Sequence, residues 1–401
     1  MQPIKVYLDH KDYVRITGGL RGSIDCRVDA EIYALLRQLV EEEKITVYFS
    51  WVHICEALKY EGKDLEILEQ YCEVIETLTR GNCLLGPLDL RKRELEFFLA
   101  GEFNFATLLN RESLAYGKYS DALFVEPFDV EEDPVEMLNE SILKHARNRH
   151  ERKQFKKILA NPFERSKLLQ QQSKGIKESL DAIKTKSPLN EDFYDADSML
   201  QLFEGNSRSK SIKAKQLMDG VCTFKNLVTH YGKDPELKRF ASSFDADARN
   251  LISKIKYGQA AYTVTGHYLI EETQMIDDFV ERFTEKLREE ILKLSGRFHF
   301  SVDEGIELLI RTKLRGIPSL CVTVMTIIEY LRKHKGTLER GRPPAESDLR
   351  DLFHAVHIPH VDFFLTDRFF STVDQKGGKL YSTQVLKGLS QLRPQMENLL
   401  T

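Results

Sequence analysis

Acidic residues stand at positions from which their carboxylates could converge. Asp9 follows the β-prone run Ile4–Leu8, and Asp367 follows a second such run, Val361–Thr366. Since the carboxyl ends of neighbouring parallel strands meet at one edge of a sheet, Asp9 and Asp367 can face a common cleft. Glu56 lies one to two turns into the helix after the second strand, and that helix begins at the same edge.

A helix that starts at Glu346-Ser347-Asp348 supplies two further candidates, Asp348 and Asp351. They are spaced i, i+3 and share one helix face, so either can be the third acid; we favour Asp351. This helix runs back along the sheet. Asp351 therefore reaches the cleft only if the start of the helix tilts over the sheet edge.

Such a group of carboxylates is suited to a hard divalent cation. Packed together without a cation, carboxylates repel one another and some take up protons. Magnesium prefers oxygen ligands, keeps several waters and bridges to phosphate. One or two ions of this kind support phosphodiester hydrolysis, so the pattern predicts a Mg²⁺ or Mn²⁺ site with that chemistry.

The elements that must position these acids indicate an α/β fold. The first sixty residues alternate strand, helix, strand, helix, with Ile45–Phe49 as the second strand and a Gly-rich turn at Gly18-Gly19 and Gly22. The last hundred residues again show a pattern of helices and strands, and Lys379–Leu386 is expected to form the final strand. Between the two ends the pattern is helical and highly charged. We expect one α/β domain built from residues 1–125 and 301–401, with residues 126–300 as a mostly helical insertion.

Three segments resemble the motifs of PIN-domain nucleases. VYLDH (Val6–His10) looks like the first motif, and FSWVHICEAL (Phe49–Leu58) is similar to the second. SDLRDLFHAVHIPHVDFFLTDRFF (Ser347–Phe370) resembles the C-terminal acidic motif. The resemblance implies a parallel sheet flanked by helices and a Mg²⁺- or Mn²⁺-dependent endonuclease that prefers RNA. It also implies catalytic and metal-binding roles for Asp9, Glu56, Asp351 and Asp367, with Asp348 as a further candidate ligand.

The resemblance covers roughly the first 60 and last 60 residues, and ordinary members of the family are far shorter than this chain of 401 residues. The alternative is therefore a non-catalytic PIN-like scaffold, in which the acids are remnants and the helical middle docks a protein. A nuclease held inactive by a regulatory protein partner would share the chemistry. The oligomeric state is not indicated by the sequence.

A basic segment precedes the middle of the chain. Seven cations stand against Glu151 alone: Lys144, Arg147, Arg149, Arg152, Lys153, Lys156 and Lys157. Such a run is often a solvated helix face, but beside a phosphodiesterase it could bind a nucleic-acid backbone through counterion release. The formal net charge is only −4, so any polyanion site depends on local clustering of this kind.

Other chemistries are disfavoured. The sequence has no GxxxxGK[ST], GxGxxG or GxSxG motif. His354, His357 and His360 suggest zinc, but Pro359 interrupts their helix face. The six cysteines form no CxxC pair, and no run approaches the ~20 apolar residues that cross a bilayer. With no apparent secretory signal, we expect a cytoplasmic protein without membrane partners.

Overall fold

The computed structural model describes residues 2–58, 65–103, 114–119, 148–159, 222–233, 235, 272–335 and 348–399. The chain forms two compact units. The first combines Met1–Gly117 with Asp234–Thr401, and the second is Lys118–Lys233. Both chain ends thus belong to one unit. The insertion limits expected from the sequence, 126–300, stay a prediction.

A six-stranded sheet lies in the first unit. Its strands are β1 (Ile4–Tyr7), β2 (Ile45–Ser50), β3 (Cys83–Leu84), β4 (Tyr116–Gly117), β5 (Phe363–Leu365) and β6 (Gln384–Leu386), in the order β4-β3-β2-β1-β5-β6. All neighbouring pairs are parallel except β3 with β4. The fold is therefore mixed α/β, and its strand order reverses direction at β1.

Hydrophobic burial explains why the central strands form where the sequence predicts them. Val6 and Tyr7 of β1 and Phe364 of β5 are fully buried, and most of β2 is buried as well. Strands of a parallel sheet are covered on both faces and read as nearly continuous hydrophobic runs. The local pattern was sufficient here because the carboxyl-terminal halves of β1 and β2 and the whole of β5 are buried.

The helices of the first unit lie between and after the strands. Those in the N-terminal part are His10–Leu20, Arg27–Glu41, Trp51–Ala57, Leu65–Thr79 and Pro87–Phe103. Those in the C-terminal part are Glu272–Lys286, Arg288–Phe298, Val302–Arg311, Pro318–Lys335, Asp348–His354, Phe370–Val373, Gln375–Tyr381 and Leu389–Glu397. Short 3₁₀ segments cover Ile24–Cys26 and Ala355–His360.

Two local expectations were wrong. Gly18-Gly19 is not a turn, because the first helix continues to Leu20, and the turn contains only Gly22 of the three predicted glycines. A side chain at Gly19 would collide with the backbone oxygen of Cys26, so glycine is needed there for close approach. The expected strand from Lys379 is also shorter: a helix runs to Tyr381, left-handed Ser382 ends it, and β6 occupies only Gln384–Leu386.

The helices from Glu272 onward belong to the first unit and pack against its other helices. Val280, Ile291 and Phe298 share a core cluster with Leu99 and Val324. In the second unit the described helices are Arg149–Leu159 and Phe224–Lys233. No helix in the described ranges is both long enough and apolar enough to cross a bilayer.

Candidate active site

Two aspartates leave the sheet at one edge from adjacent strands. β1 ends at Tyr7 and β5 ends at Leu365, and Tyr7 is paired with Phe364 in parallel register. Asp9 and Asp367 each stand two residues beyond their strand end. Because the strand order reverses at β1, the crevice at this edge is where open α/β sheets bind ligands.

Asp9 begins a helix, and Asp367 precedes one by three residues. Asp9, 6% exposed, is the N-cap of the helix His10–Leu20, and its carboxylate lies 3.2 Å from the Lys11 ammonium. The Asp367 carboxylate accepts a 2.6 Å hydrogen bond from the Phe370 amide at the start of a short helix. Capping fixes where each side chain points, and it is compatible with a second role as ligand.

The two acids of the Asp348–His354 helix have different surroundings. Asp348 is buried and accepts a 2.9 Å hydrogen bond from the Tyr330 hydroxyl. Burial raises the pKa of Asp351 well above its ordinary value, and the nearby charges of Asp9, Asp367, Glu56 and Asp348 raise it further. The negative charges of all the other predicted acids therefore act on the Asp351 carboxyl group.

Glu56 is an ionised carboxylate in a nearly closed site. It is 8% exposed, and its Oε2 lies 3.3 Å from His354 Nε2 and 3.7 Å from His10 Nδ1. Burial by itself raises the pKa of Glu56, but the two histidines outweigh it and lower that pKa to about 2. A carboxylate with so low a pKa accepts hydrogen bonds and does not donate them.

A hydrogen-bond chain runs from Ser50 to Glu56. The Tyr7 hydroxyl lies 2.6 Å from both Ser50 Oγ and His354 Nδ1. Because ionised Glu56 can only accept, His354 donates to it from Nε2. In the neutral ring Nδ1 accepts from Tyr7, which then accepts from Ser50, whereas in the imidazolium Nδ1 donates to Tyr7, which then donates to Ser50. In either state the chain Ser50, Tyr7, His354, Glu56 fixes the orientation of the glutamate through His354, which lies 298 positions from it in the sequence.

His53 also stabilises the region around Glu56 through two hydrogen bonds to the backbone. Its Nδ1 accepts from the Ser50 amide at 3.0 Å, and its Nε2 donates to the Leu8 carbonyl at 2.9 Å. Burial, reinforced by His354, lowers the pKa of His53 to about 3, so the ring is neutral at physiological pH. It ties the end of β1 to the start of the helix that carries Glu56.

The buried tyrosine hydroxyls allow a matched stability prediction. Tyr7→Phe removes a hydroxyl with two partners and leaves Ser50 and His354 unsatisfied, so we expect it to lower the free energy of unfolding by about 1–3 kcal/mol. Tyr13 is equally buried, but its hydroxyl has no hydrogen-bond partner in the described part of the chain. Tyr13→Phe should be neutral or stabilising. Urea unfolding of both variants measures the difference, and equal losses would contradict the hydrogen-bond chain.

Two further acids, which were not identified from the sequence, interact electrostatically with the predicted acids. Asp12, three residues after Asp9, is 1% exposed, and burial raises its pKa to about 7. Asp374 is fully buried, and burial, together with the charges of Asp367 and Asp9, raises its pKa well above the ordinary range. The i, i+3 spacing from Asp9 could have indicated Asp12. No local pattern indicates Asp374.

The histidines considered for zinc have separate environments. His354 contacts Tyr7 and Glu56, His360 Nε2 lies 2.7 Å from Glu94, and His357 is buried against the Tyr7 ring. Within the described ranges, no three His, Cys, Asp or Glu side chains are already arranged to hold a metal directly. Magnesium commonly needs only one or two carboxylates, because waters complete its octahedron.

The basic segment is partly described. Its cations on the helix Arg149–Leu159 are all exposed: Arg149, Arg152, Lys153, Lys156 and Lys157. Lys144 and Arg147 lie outside the described residues.

Comparison of this chain with protein-family models, with curated proteins and with solved structures finds no match.

Proposed function

We propose that this chain is a PIN-like, divalent-metal-dependent endonuclease that prefers RNA. One observation carries the proposal: Asp9 and Asp367 follow adjacent parallel strands at the point where the strand order reverses. The charge interactions of Asp351 with Asp9, Asp367 and Glu56 support it. In this proposal those four acids hold Mg²⁺ or Mn²⁺. Asp348, hydrogen-bonded to Tyr330, holds the start of its helix in place.

The donor set fits a hard cation. All four side chains offer only carboxylate oxygens, which Mg²⁺ and Mn²⁺ prefer. Burial raises the pKa of Asp351 most, and the charges of the neighbouring carboxylates raise it further. A bound dication offsets an electrostatic cost of this kind. When bound, such an ion activates water for attack on a phosphodiester and neutralises the developing charge.

The chain's own residues orient the site. Tyr7 and His354 hold Glu56 through the hydrogen-bond chain, and the helix starts at Asp9 and Asp367 fix those two carboxylates. Preorganised groups of this kind cost no reorientation at the moment of reaction. Incubating labelled single-stranded RNA and DNA with the protein in Mn²⁺ or in EDTA tests the proposal. Metal-independent cleavage, or no cleavage of either substrate, would contradict it.

We further propose that the exposed cations of the Arg149–Leu159 helix bind the phosphate backbone. Arg152 and Lys156 are spaced i, i+4 and share a face. The double variant Arg152→Gln/Lys156→Gln should weaken RNA binding and reduce the slope of log affinity against log salt by about 2, one per lost phosphate contact. Filter binding over a salt series measures this slope. Lys225→Gln/Lys233→Gln, on the other described helix of that unit, removes the same charge, and an equal effect there would contradict a specific role.

A second candidate is the non-catalytic PIN-like scaffold. It is favoured by the protein partners that the acids already have: Lys11 for Asp9, the Phe370 amide for Asp367 and Tyr330 for Asp348. A scaffold of this kind would bind Mn²⁺ weakly or not at all. Calorimetric titration with Mn²⁺ therefore separates the two functions.

A further inference from the structure

A second candidate site is lined by none of the four acids. Its cavity of about 620 Å³ is lined by aromatic, apolar and basic residues, among them Phe97, Phe98, Arg311, Lys313, Arg315 and Pro318. The lining also includes His360, which precedes β5, and Leu114, which precedes β4.

The long helix Pro318–Lys335 connects the two regions. Pro318 lines the cavity, whereas Tyr330 is hydrogen-bonded to Asp348. Twelve residues separate these positions, which corresponds to about 18 Å along a helix. The cavity is thus separate from the acids.

The basic side chains of the cavity are largely available to a ligand. Lys313 is paired with Asp277 at 3.0 Å. Arg311 and Arg315 are exposed, and neither guanidinium has an ion-pair partner in the described part of the chain. The buried acid of the cavity, Glu94, already accepts hydrogen bonds from Ser319 and lies 2.7 Å from His360 Nε2, so it is not aimed at a cationic ligand.

The loop that presents these cations has an unusual backbone. Lys313 and Leu314 are consecutive non-glycine residues with φ of 50° and 60°. Such left-handed residues are costly and persist where the surroundings impose them. Here the fully buried Leu314 side chain anchors the loop and leaves Lys313 and Arg315 facing solvent.

We propose that this cavity binds a nucleoside phosphate. Guanidinium groups match phosphate oxygens in a two-pronged geometry, which suits Arg311 and Arg315 to the phosphate. Aromatic side chains stack on nucleobases, which suits Phe97 to the base, whereas the Phe98 ring packs against Gly316 and the apolar core. The volume lies within the range of about 300–1,000 Å³ that is typical of small-molecule sites. The ligand is either a free mononucleotide or the terminal nucleotide of a strand.

Calorimetry with the full chain in EDTA tests this site without any cleavage. We expect AMP to bind, and adenosine and inorganic phosphate to bind at least tenfold more weakly. Arg311→Gln/Arg315→Gln should weaken AMP binding by about tenfold or more, since each removes a charge-assisted hydrogen bond. Phe97→Leu, which keeps the apolar volume, should weaken it by about fivefold through lost stacking.

Lys293→Gln removes an exposed cation of the same unit outside the cavity and should leave AMP binding unchanged. Tighter binding of 5′-phosphorylated diadenylate than of AMP would identify a strand end as the source, and weaker binding a free nucleotide. The proposal is overturned if neither binds at millimolar concentration, or if the double arginine variant binds AMP as well as the unsubstituted chain. Because no metal is present, either failure leaves the nuclease proposal standing.

Discussion

Asp9→Asn and Asp367→Asn should each reduce Mn²⁺-dependent cleavage of single-stranded RNA by about a thousandfold or more. A bound dication supplies several kcal/mol of charge stabilisation, and each 1.4 kcal/mol corresponds to a tenfold change in rate. Asparagine keeps the shape of the side chain but weakens the cation site. The initial rate of appearance of labelled fragments measures the loss.

The same two variants should fold normally. Asparagine is as good an N-cap as aspartate at position 9, and its amide oxygen can accept the hydrogen bond that Asp367 accepts from the Phe370 amide. Asp89→Asn, at an exposed acid in the first turn of another helix, is the matched control and should retain full activity. Full activity in a folded Asp9→Asn protein would count decisively against the proposed site.

Replacing Asp351 should have a large effect on the stability of the folded chain, and this effect should depend on both pH and bound metal. Its pKa in the folded chain is raised above the ordinary value of 3.8. The folded chain therefore holds this proton at pH values where the unfolded chain has lost it. The carboxyl group contributes stability at low pH that is lost as pH rises through its folded-state pKa. In EDTA at pH 8, Asp351→Asn should be more stable than the unsubstituted protein, and its advantage should fade toward pH 4.

Added Mn²⁺ should make the unsubstituted protein more stable than Asp351→Asn at pH 8. An ion that binds only the folded chain adds about 2.7 kcal/mol of stability at a hundred times its dissociation constant. The unsubstituted protein should gain this increment, and Asp351→Asn should gain little of it. Thermal unfolding with and without Mn²⁺ measures the stability gained by each of the two proteins. An equal Mn²⁺ shift in the two proteins would remove Asp351 from the ligand set.

Comparison with Asp348→Asn separates the two acids that the sequence could not distinguish. Asp348 is hydrogen-bonded to Tyr330, so its replacement should leave most of the Mn²⁺ shift in place. The choice between them depends on a tyrosine in a different helix, and no pattern around Asp348 reveals that partner. The i, i+3 spacing alone places both acids on one face.

The positions of Asp9 and Asp367 could be predicted because each depends on local sequence. A buried parallel strand is a short apolar run, and the residue that follows it stands at the sheet edge. The hydrogen-bond chain could not be predicted in this way. Tyr7 reads as a core residue of β1, and its contact with His354 spans 347 positions. Asp374 is similar, since its buried carboxylate accepts a hydrogen bond from Thr326, 48 positions away.

Glycine residues were ambiguous for a related reason. Gly18-Gly19 resembles a turn, yet it allows one helix to approach Cys26 closely. Absence of a side chain permits both a turn and close packing, so the sequence alone does not distinguish them.

Anomalous diffraction at the manganese edge, from crystals grown with Mn²⁺, tests the central claim most directly. We expect a strong peak about 2.1 Å from carboxylate oxygens of Asp9, Glu56, Asp351 or Asp367, at the carboxyl ends of β1 and β5. A peak elsewhere on the molecule, or none at saturating Mn²⁺, would contradict it.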